Sequence, residues 1–472
     1  VSSTLDVKIA AARAVGRLAR ATGRGGGTSL PGKVLTRLAP DAIARLAQRL
    51  PDGTAVISAT NGKTTTAAMT TAVLSRNGTR LVHNRAGANM AGGVASTLLQ
   101  AARGGGTIDG QLGLFEVDEF WLDSVAPSLS PRALVLGNLF RDQLDRYGEL
   151  ETIADRWAAV VAALPSTSRL ALNADDPLIA DLGRDRGEGQ VIYFGVEDRS
   201  LALGEMQHAS DSKHCRNCGH AYRYDAIYLG HLGVYHCPHC GHARPEPQVA
   251  AVDVALHGTQ SASFGLITPA GRVDVALPLP GLYNVYNALA AAALCVSLGV
   301  APEAIADGLA HVSAAFGRAE RIVVGDRTLS VLLIKNPAGA NEILRTLTLE
   351  DGALDLLVVL NDRTADGRDI SWVWDADFEL LSGRVRRVTC AGTRADELAL
   401  RLKYAGVEEH RLHVVPELSA ALDAALADGD RTGPVFALPT YTALLALRAE
   451  LARRGHVESF WFDPSRTGEA RR

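Results

Sequence analysis

Ala55-Val56-Ile57-Ser58-Ala59-Thr60-Asn61-Gly62-Lys63-Thr64-Thr65-Thr66 carries a short apolar run into a polar turn with one glycine, and then into a threonine- and alanine-rich stretch. The order strand, turn, helix makes this a phosphate cradle. Glycine lets backbone N–H groups approach phosphate oxygens, a lysine ammonium neutralises them, and the hydroxyl that follows is placed to ligate Mg²⁺. Thr60, Asn61, Gly62, Lys63, Thr64 and Thr65 are therefore the candidate nucleotide-binding residues. Two positions depart from the strict P-loop pattern: Ile57 stands where its first glycine belongs, and Ala59 where another is common.

Outward from the cradle the chain alternates strand and helix. Helices are predicted over 64–75 and 151–164, and strands over 112–116, 133–136 and 170–172, which implies an α/β fold with a mainly parallel, helix-covered sheet. Further on, 262–266 and 273–277 read as an antiparallel pair and 284–298 as an alanine-rich helix. A composition change over 313–322 marks a boundary. Beyond it, strands at 354–360, 385–390 and 435–438 alternate with helices at 394–405, 418–427 and 441–454, a small Rossmann-like unit without a dinucleotide glycine fingerprint. The predicted organisation is a helical appendage at 1–52, broken by the glycine-rich stretch 23–27 and by Pro31-Gly32; a central nucleotide-binding domain at 53–318; an insertion at 205–247; and a C-terminal domain at 319–472.

With 472 residues, 47% of them hydrophobic, the chain can bury more than one core. Its net charge of −4 argues against nucleic-acid binding through phosphate neutralisation. Residues 1–50 hold nine Lys or Arg against two Asp, a balance of +7 that leaves −11 for the rest. Such a basic front suits either an anionic surface or plain solvent. No apolar run approaches the ~20 residues of a membrane helix, and Lys8, Arg13, Arg17 and Arg20 interrupt the first 20 residues, so a cytoplasmic protein without a transmembrane segment is expected.

Four of the six cysteines form the pairs Cys215-x2-Cys218 and Cys237-x2-Cys240, followed by Gly219 and Gly241. This is the spacing of a zinc ribbon. Four thiolates close the Zn²⁺ tetrahedron and leave no position for water, so the metal is structural. His214, His220, His231, His236, His239 and His242 crowd the same segment and offer alternative ligands.

Six blocks follow the cradle: Asn84-Arg85-Ala86-Gly87-Ala88-Asn89, Phe115-Glu116-Val117-Asp118-Glu119, the stretch 137–148 (GNLFRDQLDRYG), Leu172-Asn173-Ala174-Asp175-Asp176-Pro177, the stretch 281–287 (GLYNVYN), and Phe316-Gly317-Arg318-Ala319-Glu320-Arg321. This ordered set resembles the Mur ligase family, ATP-dependent enzymes that activate a carboxylate as an acyl phosphate for attack by an amine. The resemblance implies that Lys63 holds β/γ-phosphates, Thr64 and Glu116 ligate Mg²⁺, Asn284 and Asn287 address the adenine side, and Arg318 reaches the transferring phosphoryl group. Two features are unlike the amino-acid-adding members. Gln143 replaces their histidine, and the helix 151–164 has no lysine to be carbamylated. About fifty residues precede the cradle strand, too few for a UDP-sugar-binding domain.

Those losses, the four-cysteine insertion, the stretch 23–32 (GRGGGTSLPG), the block 335–342 (KNPAGANE) and residues 362–377 resemble one subgroup, the MurT-type synthetase subunits. That likeness implies a subunit that phosphorylates the α-carboxyl of D-glutamate in the lipid II stem peptide, for amidation to D-isoglutamine. It also implies a glutaminase partner supplying ammonia, with the lipid-linked substrate met at the inner membrane face. Cys295 and Cys390 lie in apolar surroundings and read as core residues rather than nucleophiles. The resemblance assigns an aspartate of the C-terminal domain to the partner's histidine: Asp369, with Asp366 second. Two other readings stay open, a Mur or folylpolyglutamate-type ligase that adds an amino acid, and a nucleotide-responsive scaffold.

Overall fold

The computed structural model describes the chain except residues 1, 22–28, 85–86, 143–149, 208–209, 313–317, 428–432 and 459–472, and gives only the backbone of 2, 3, 20, 21 and 318. The chain forms two compact units, Val1–Ser313 and Ala314–Arg472.

In the first unit, β1 (Thr54–Ser58), β2 (Leu81–His83), β3 (Leu112–Glu116), β4 (Ala133–Leu136), β5 (Arg169–Asn173) and β6 (Val191–Val196) run parallel in the order β6-β5-β4-β1-β3-β2. β1, β3 and β4 are buried at every position, as strands of a parallel sheet covered on both faces must be. β7 (Arg223–Leu229) and β8 (Leu232–His236) form a separate hairpin. β9 (Val249–His257) then joins β6 in parallel, and β10 (Ser261–Thr268) and β11 (Gly271–Leu277) extend the sheet antiparallel to nine strands.

The helices of this unit are α1 (Ser2–Ala21), α2 (Leu30–Leu38), α3 (Ala42–Ala47), α4 (Lys63–Arg76), α5 (Ala91–Ala101), α6 (Leu122–Leu129), α7 (Leu150–Ala163), α8 (Pro177–Ala180), α9 (Leu282–Ser297) and α10 (Pro302–Ala310). The expected appendage is part of this body. Leu5 and Ile9 of α1, Leu35 of α2 and Leu46 of α3 share one apolar core with Val94 and Leu98 of α5, Trp157 of α7, and Val56 and Leu134 of the sheet. Nor does Pro31-Gly32 break a helix. Pro31 lies in the first turn of α2, where a missing N–H is harmless. Gly32 lets α2 approach α5 so closely that a Cβ there would lie 2.0 Å from the Gly92 carbonyl oxygen.

The second unit is a six-stranded sheet, β12 (Arg318–Val324), β13 (Arg327–Leu332), β14 (Leu354–Val359), β15 (Val385–Ala391), β16 (Leu412–Val414) and β17 (Val435–Pro439), in the order β12-β13-β17-β14-β15-β16. All its pairs are parallel except the β12–β13 hairpin. With it go α11 (Pro337–Thr348), α12 (Ala395–Tyr404), α13 (Leu418–Leu426) and α14 (Tyr441–Arg453). Asp355 on β14 is clamped between Arg327 and Arg386, which hold its carboxyl below the usual range against the opposing effect of burial. Among the described residues no helix is long and apolar enough to cross a membrane.

Candidate functional site

The cradle turn links β1 to α4. Gly62 takes φ +87°, a left-handed conformation that favours glycine. A Cβ here would also lie 1.9 Å from Asn287 Oδ1, because the start of α9 is packed directly onto the turn. Asn287 Nδ2 donates to Asn284 Oδ1 at 3.1 Å, and Asn284 Nδ2 donates to the Pro280 carbonyl at 2.7 Å. Both asparagines, far downstream of the turn in sequence, thus belong to its surroundings as a linked pair, consistent with ~3.6 residues per turn placing them on one helix face. Asn138, just beyond β4, holds the turn from another side. Its Oδ1 accepts from the Asn61 amide at 2.9 Å, its Nδ2 donates to the Asn61 carbonyl at 3.1 Å, and its own carbonyl accepts from the Thr60 amide at 2.9 Å. Thr60 Oγ1 accepts from the Phe140 amide at 3.2 Å, and Thr65 is buried in the first turn of α4.

Lys63 folds back over this turn. Its ammonium donates to the carbonyl of Ala59 at 2.5 Å and of Thr60 at 3.3 Å, and pairs with Glu119 Oε2 at 2.5 Å. Burial pulls its pKa down, but Glu119, with Asp118 and Glu116 behind it, outweighs burial and holds it above the ordinary lysine value. Glu116, at the end of β3, is buried, and its backbone is fixed by Asn84: the Asn84 Oδ1 accepts from the Glu116 amide and the Asn84 Nδ2 donates to the Glu116 carbonyl. Thr64 Oγ1 donates to Glu116 Oε1 at 3.1 Å, and Asn89 Nδ2 reaches the same oxygen at 3.4 Å. Two oxygens 3.1 Å apart match the edge of an Mg²⁺ octahedron, about 3 Å for bonds of about 2.1 Å. The residues therefore suit a polyanion neutralised by a hard cation.

Glu119 and Asn138 stood inside the quoted sequence blocks without a site role. Their positions, a few residues past the ends of β3 and β4 where an α/β sheet gathers ligands, were the available signal.

The four cysteines converge as their spacing predicts. Their sulfurs lie within 4.8 Å of one another, with Cys215–Cys240 at 3.6 Å and Cys218–Cys237 at 3.5 Å. Zn–S bonds of about 2.3 Å put tetrahedral sulfurs about 3.8 Å apart, so the donor set fits one Zn²⁺, and these separations are far too long for disulfides. Gly219 and Gly241 take φ of +74° and +73°, turning each pair toward a common centre. Among the described residues no histidine joins the cluster, and His220 stacks on His239 instead. Cys295 and Cys390 are buried, and burial raises their thiols, to about 12 for Cys390, so neither is a nucleophile.

In the second unit the loop after β14 separates the two candidate aspartates. Asp366 is buried and committed: its Oδ1 accepts from the Thr442 amide at 2.7 Å and its Oδ2 from the Thr442 hydroxyl at 2.5 Å, at the start of α14. Asp369 is exposed, and its Oδ1 accepts from the Ser371 amide at 2.8 Å, which with the Ser371 hydroxyl holds its carboxyl below the usual range. Arg318 opens β12, its backbone paired with Leu332, and its side chain lies outside the described part, as do Gln143 and residues 316–317 of the last sequence block.

Comparison with known proteins agrees with this geometry. The Mur ligase middle domain matches residues 57–236 and the MurT ligase C-terminal domain matches residues 333–444. The lipid II isoglutaminyl synthase (glutamine-hydrolyzing) subunit MurT of Staphylococcus aureus (strain N315) is 32% identical over 93% of this chain and 95% of its own length. The corresponding subunit of Streptococcus pneumoniae is 31% identical over 91% and 93%. Among solved structures, MurF from Acinetobacter baumannii has a TM-score of 0.65 at 21% identity, covering 90% of this chain and 81% of that one. The pseudomurein peptide ligase type C of Methanothermus fervidus has 0.62 at 22%, covering 85% and 79%. A likeness that runs through the cradle, the cysteine segment and the loop of Asp369 over nearly the whole length leaves one conclusion: the chain belongs to the MurT family of Mur ligases.

Proposed function

We propose that this chain is the ATP-dependent synthetase subunit of a lipid II isoglutaminyl synthase, with a glutaminase subunit as its partner. A carboxylate oxygen of the D-glutamate α-carboxyl in the lipid II stem peptide attacks the γ-phosphorus of ATP, ADP leaves, and an acyl phosphate forms. Ammonia from the partner then attacks the carbonyl carbon; the bond to phosphate breaks, a proton is released, and the amide of D-isoglutamine results. The protein works at the cytoplasmic membrane face, where its lipid-linked substrate lies.

The cradle acts as a P-loop. Lys63 exchanges Glu119 for the β/γ-phosphates, and Thr64 and Glu116 are the residues that hold Mg²⁺, which when bound offsets the charge on the phosphates. Thr60, Asn61, Gly62 and Thr65 shape the cradle, Asn284 and Asn287 face the adenine side, and Arg318 is the residue that the family resemblance assigns to the transferring phosphoryl group. Cys215, Cys218, Cys237 and Cys240 hold a structural Zn²⁺. Asp369 is offered to the partner's histidine, since Asp366 is already engaged with Thr442.

The observation that carries the reading is the convergence of Lys63, Thr64 and Glu116 on one turn in a chain alike to a MurT subunit over 93% of its length. Co-purification with a glutaminase, followed by glutamine-dependent amidation of lipid II, tests it. A purified complex that amidates without ATP, or consumes ATP without amidating lipid II, refutes it.

A further inference from the structure

The ribbon's metal end and its tip do different things. The cysteines lie beyond the Arg223/His236 end of the β7–β8 hairpin, whereas the two-residue turn Gly230-His231 lies at the other end, about 20 Å away along a seven-residue strand. That tip is driven into the segment that holds the cradle. The His231 ring is fully buried and lies 4.9 Å from the Phe140 ring, and Gly230 is so close that a Cβ would stand 3.0 Å from Phe140 Cε1. His231 Nε2 is 3.4 Å from Asp176 Oδ2, the same oxygen that accepts from the Leu139 amide at 2.9 Å. The ribbon segment also supplies Asp211, which accepts from the Arg141 amide at 3.0 Å and pairs with the Arg141 side chain. Phe140 and Arg141 are thus gripped by the insertion, and within the same segment Phe140 and Asn138 carry the hydrogen bonds to Thr60 and Asn61.

Neither ring nitrogen of His231 makes a well-formed hydrogen bond, an unfavourable condition for a buried imidazole that a phenylalanine at the same place would avoid. What the imidazole adds is a ring nitrogen facing the Asp176 carboxylate at 3.4 Å. Burial pulls the imidazole pKa down, but Asp176 and Asp211 outweigh burial and hold it above the ordinary histidine value.

We propose that His231 is a positioning residue for nucleotide binding: wedged between Phe140 and Asp176, it sets the 138–141 segment in the shape that orients Thr60 and Asn61. The inserted ribbon is then a brace for the phosphate cradle. This rests on the nucleotide-site reading above.

The test uses the full chain with its glutaminase partner. The dissociation constant of a non-hydrolysable ATP analogue with Mg²⁺ and the hydrogen exchange of the Asn61, Leu139 and Phe140 amides are measured for wild type, His231→Leu, His231→Gln and the exposed hairpin control Arg223→Ala. His231→Leu is expected to weaken the analogue on the order of tenfold, raise KM for ATP more than it lowers kcat, and speed exchange at all three amides. His231→Gln, which keeps a donor toward Asp176, falls between, and Arg223→Ala matches wild type. Should His231→Leu fail to fold, Phe140→Leu probes the same contact from the other side with the same expected result. Wild-type affinity and wild-type exchange in the substituted protein overturn the proposal, as does an equal loss in Arg223→Ala. Faster exchange in His231→Leu beside a wild type that binds no analogue refutes the nucleotide reading, and the proposed role with it, while identifying which of the two links failed.

Discussion

At the cradle, Glu116 and Glu119 are buried and engaged with Thr64 and Lys63, residues more than fifty positions away in the chain. In the loop after β14, Asp369 is exposed and engaged with Ser371, two positions away. The first pair of carboxylates is tied into the fold, so disturbing it touches stability and chemistry together. The other is presented at the surface by its own local turn, so removing its charge leaves the fold alone. A carboxylate of the second kind suits work on another molecule.

That contrast is broken first at Lys63. Lys63→Met is expected to abolish ATP turnover and amidation, and also to leave Glu119 as a buried, unpaired carboxylate at a cost of about 3–5 kcal/mol, seen as a lower melting temperature. Adding Glu119→Gln should recover most of the melting temperature and none of the turnover; recovery of both would mean that Lys63 serves only to neutralise Glu119. The next effect is at Asp369. Asp369→Asn should cut glutamine-driven amidation by about a hundredfold or more, by analogy with the loss of a carboxylate that orients a catalytic histidine, with ammonia-driven amidation spared. Equal loss with both nitrogen donors would remove the residue from that role.

Asp366 sharpens the comparison, because it stands three residues away and yet behaves like the cradle carboxylates. Asp366→Ala removes the acceptor for the Thr442 amide and hydroxyl at the start of α14, so chemical denaturation should show a loss of about 1–2 kcal/mol, with both nitrogen donors affected alike. The smallest effect is on acid stability. Asp369 has its folded pKa below the ordinary carboxylate value, so its stabilising contribution is present above about pH 4 and is lost as the pH falls through the lower folded value. Exposure keeps that contribution small. Melting curves of wild type and Asp369→Asn should differ by about 1 °C or less at pH 7 and coincide at pH 2.

The sequence made the sheet legible where strands are continuous apolar runs between polar turns: 112–116 and 133–136 were read to the residue, and the antiparallel pair has Ala262 opposite Leu277. The four-cysteine centre was legible because thiolate spacing alone encodes it. Glu119 and Asn138 were not, since their roles depend on partners 56 and 77 residues distant that the fold alone brings near. The β12–β13 hairpin was missed because its strands, such as Arg327-Thr328-Leu329-Ser330, mix polar and apolar residues. Pro31-Gly32 was misread because the same dipeptide that ends one helix can open another, and only α5 reveals which.

The crossing of α2 over α5 has a consequence for where this protein can be shortened. Backbone meets backbone there, with the Gly32 amide donating to Ser96 Oγ at 2.8 Å, so α1, α2 and α3 act as one wall of the apolar core rather than as a tail. A polypeptide begun at the cradle strand would present Val94, Leu98, Leu99 and Val125 to water as one continuous greasy patch, and would clump before it could bind anything.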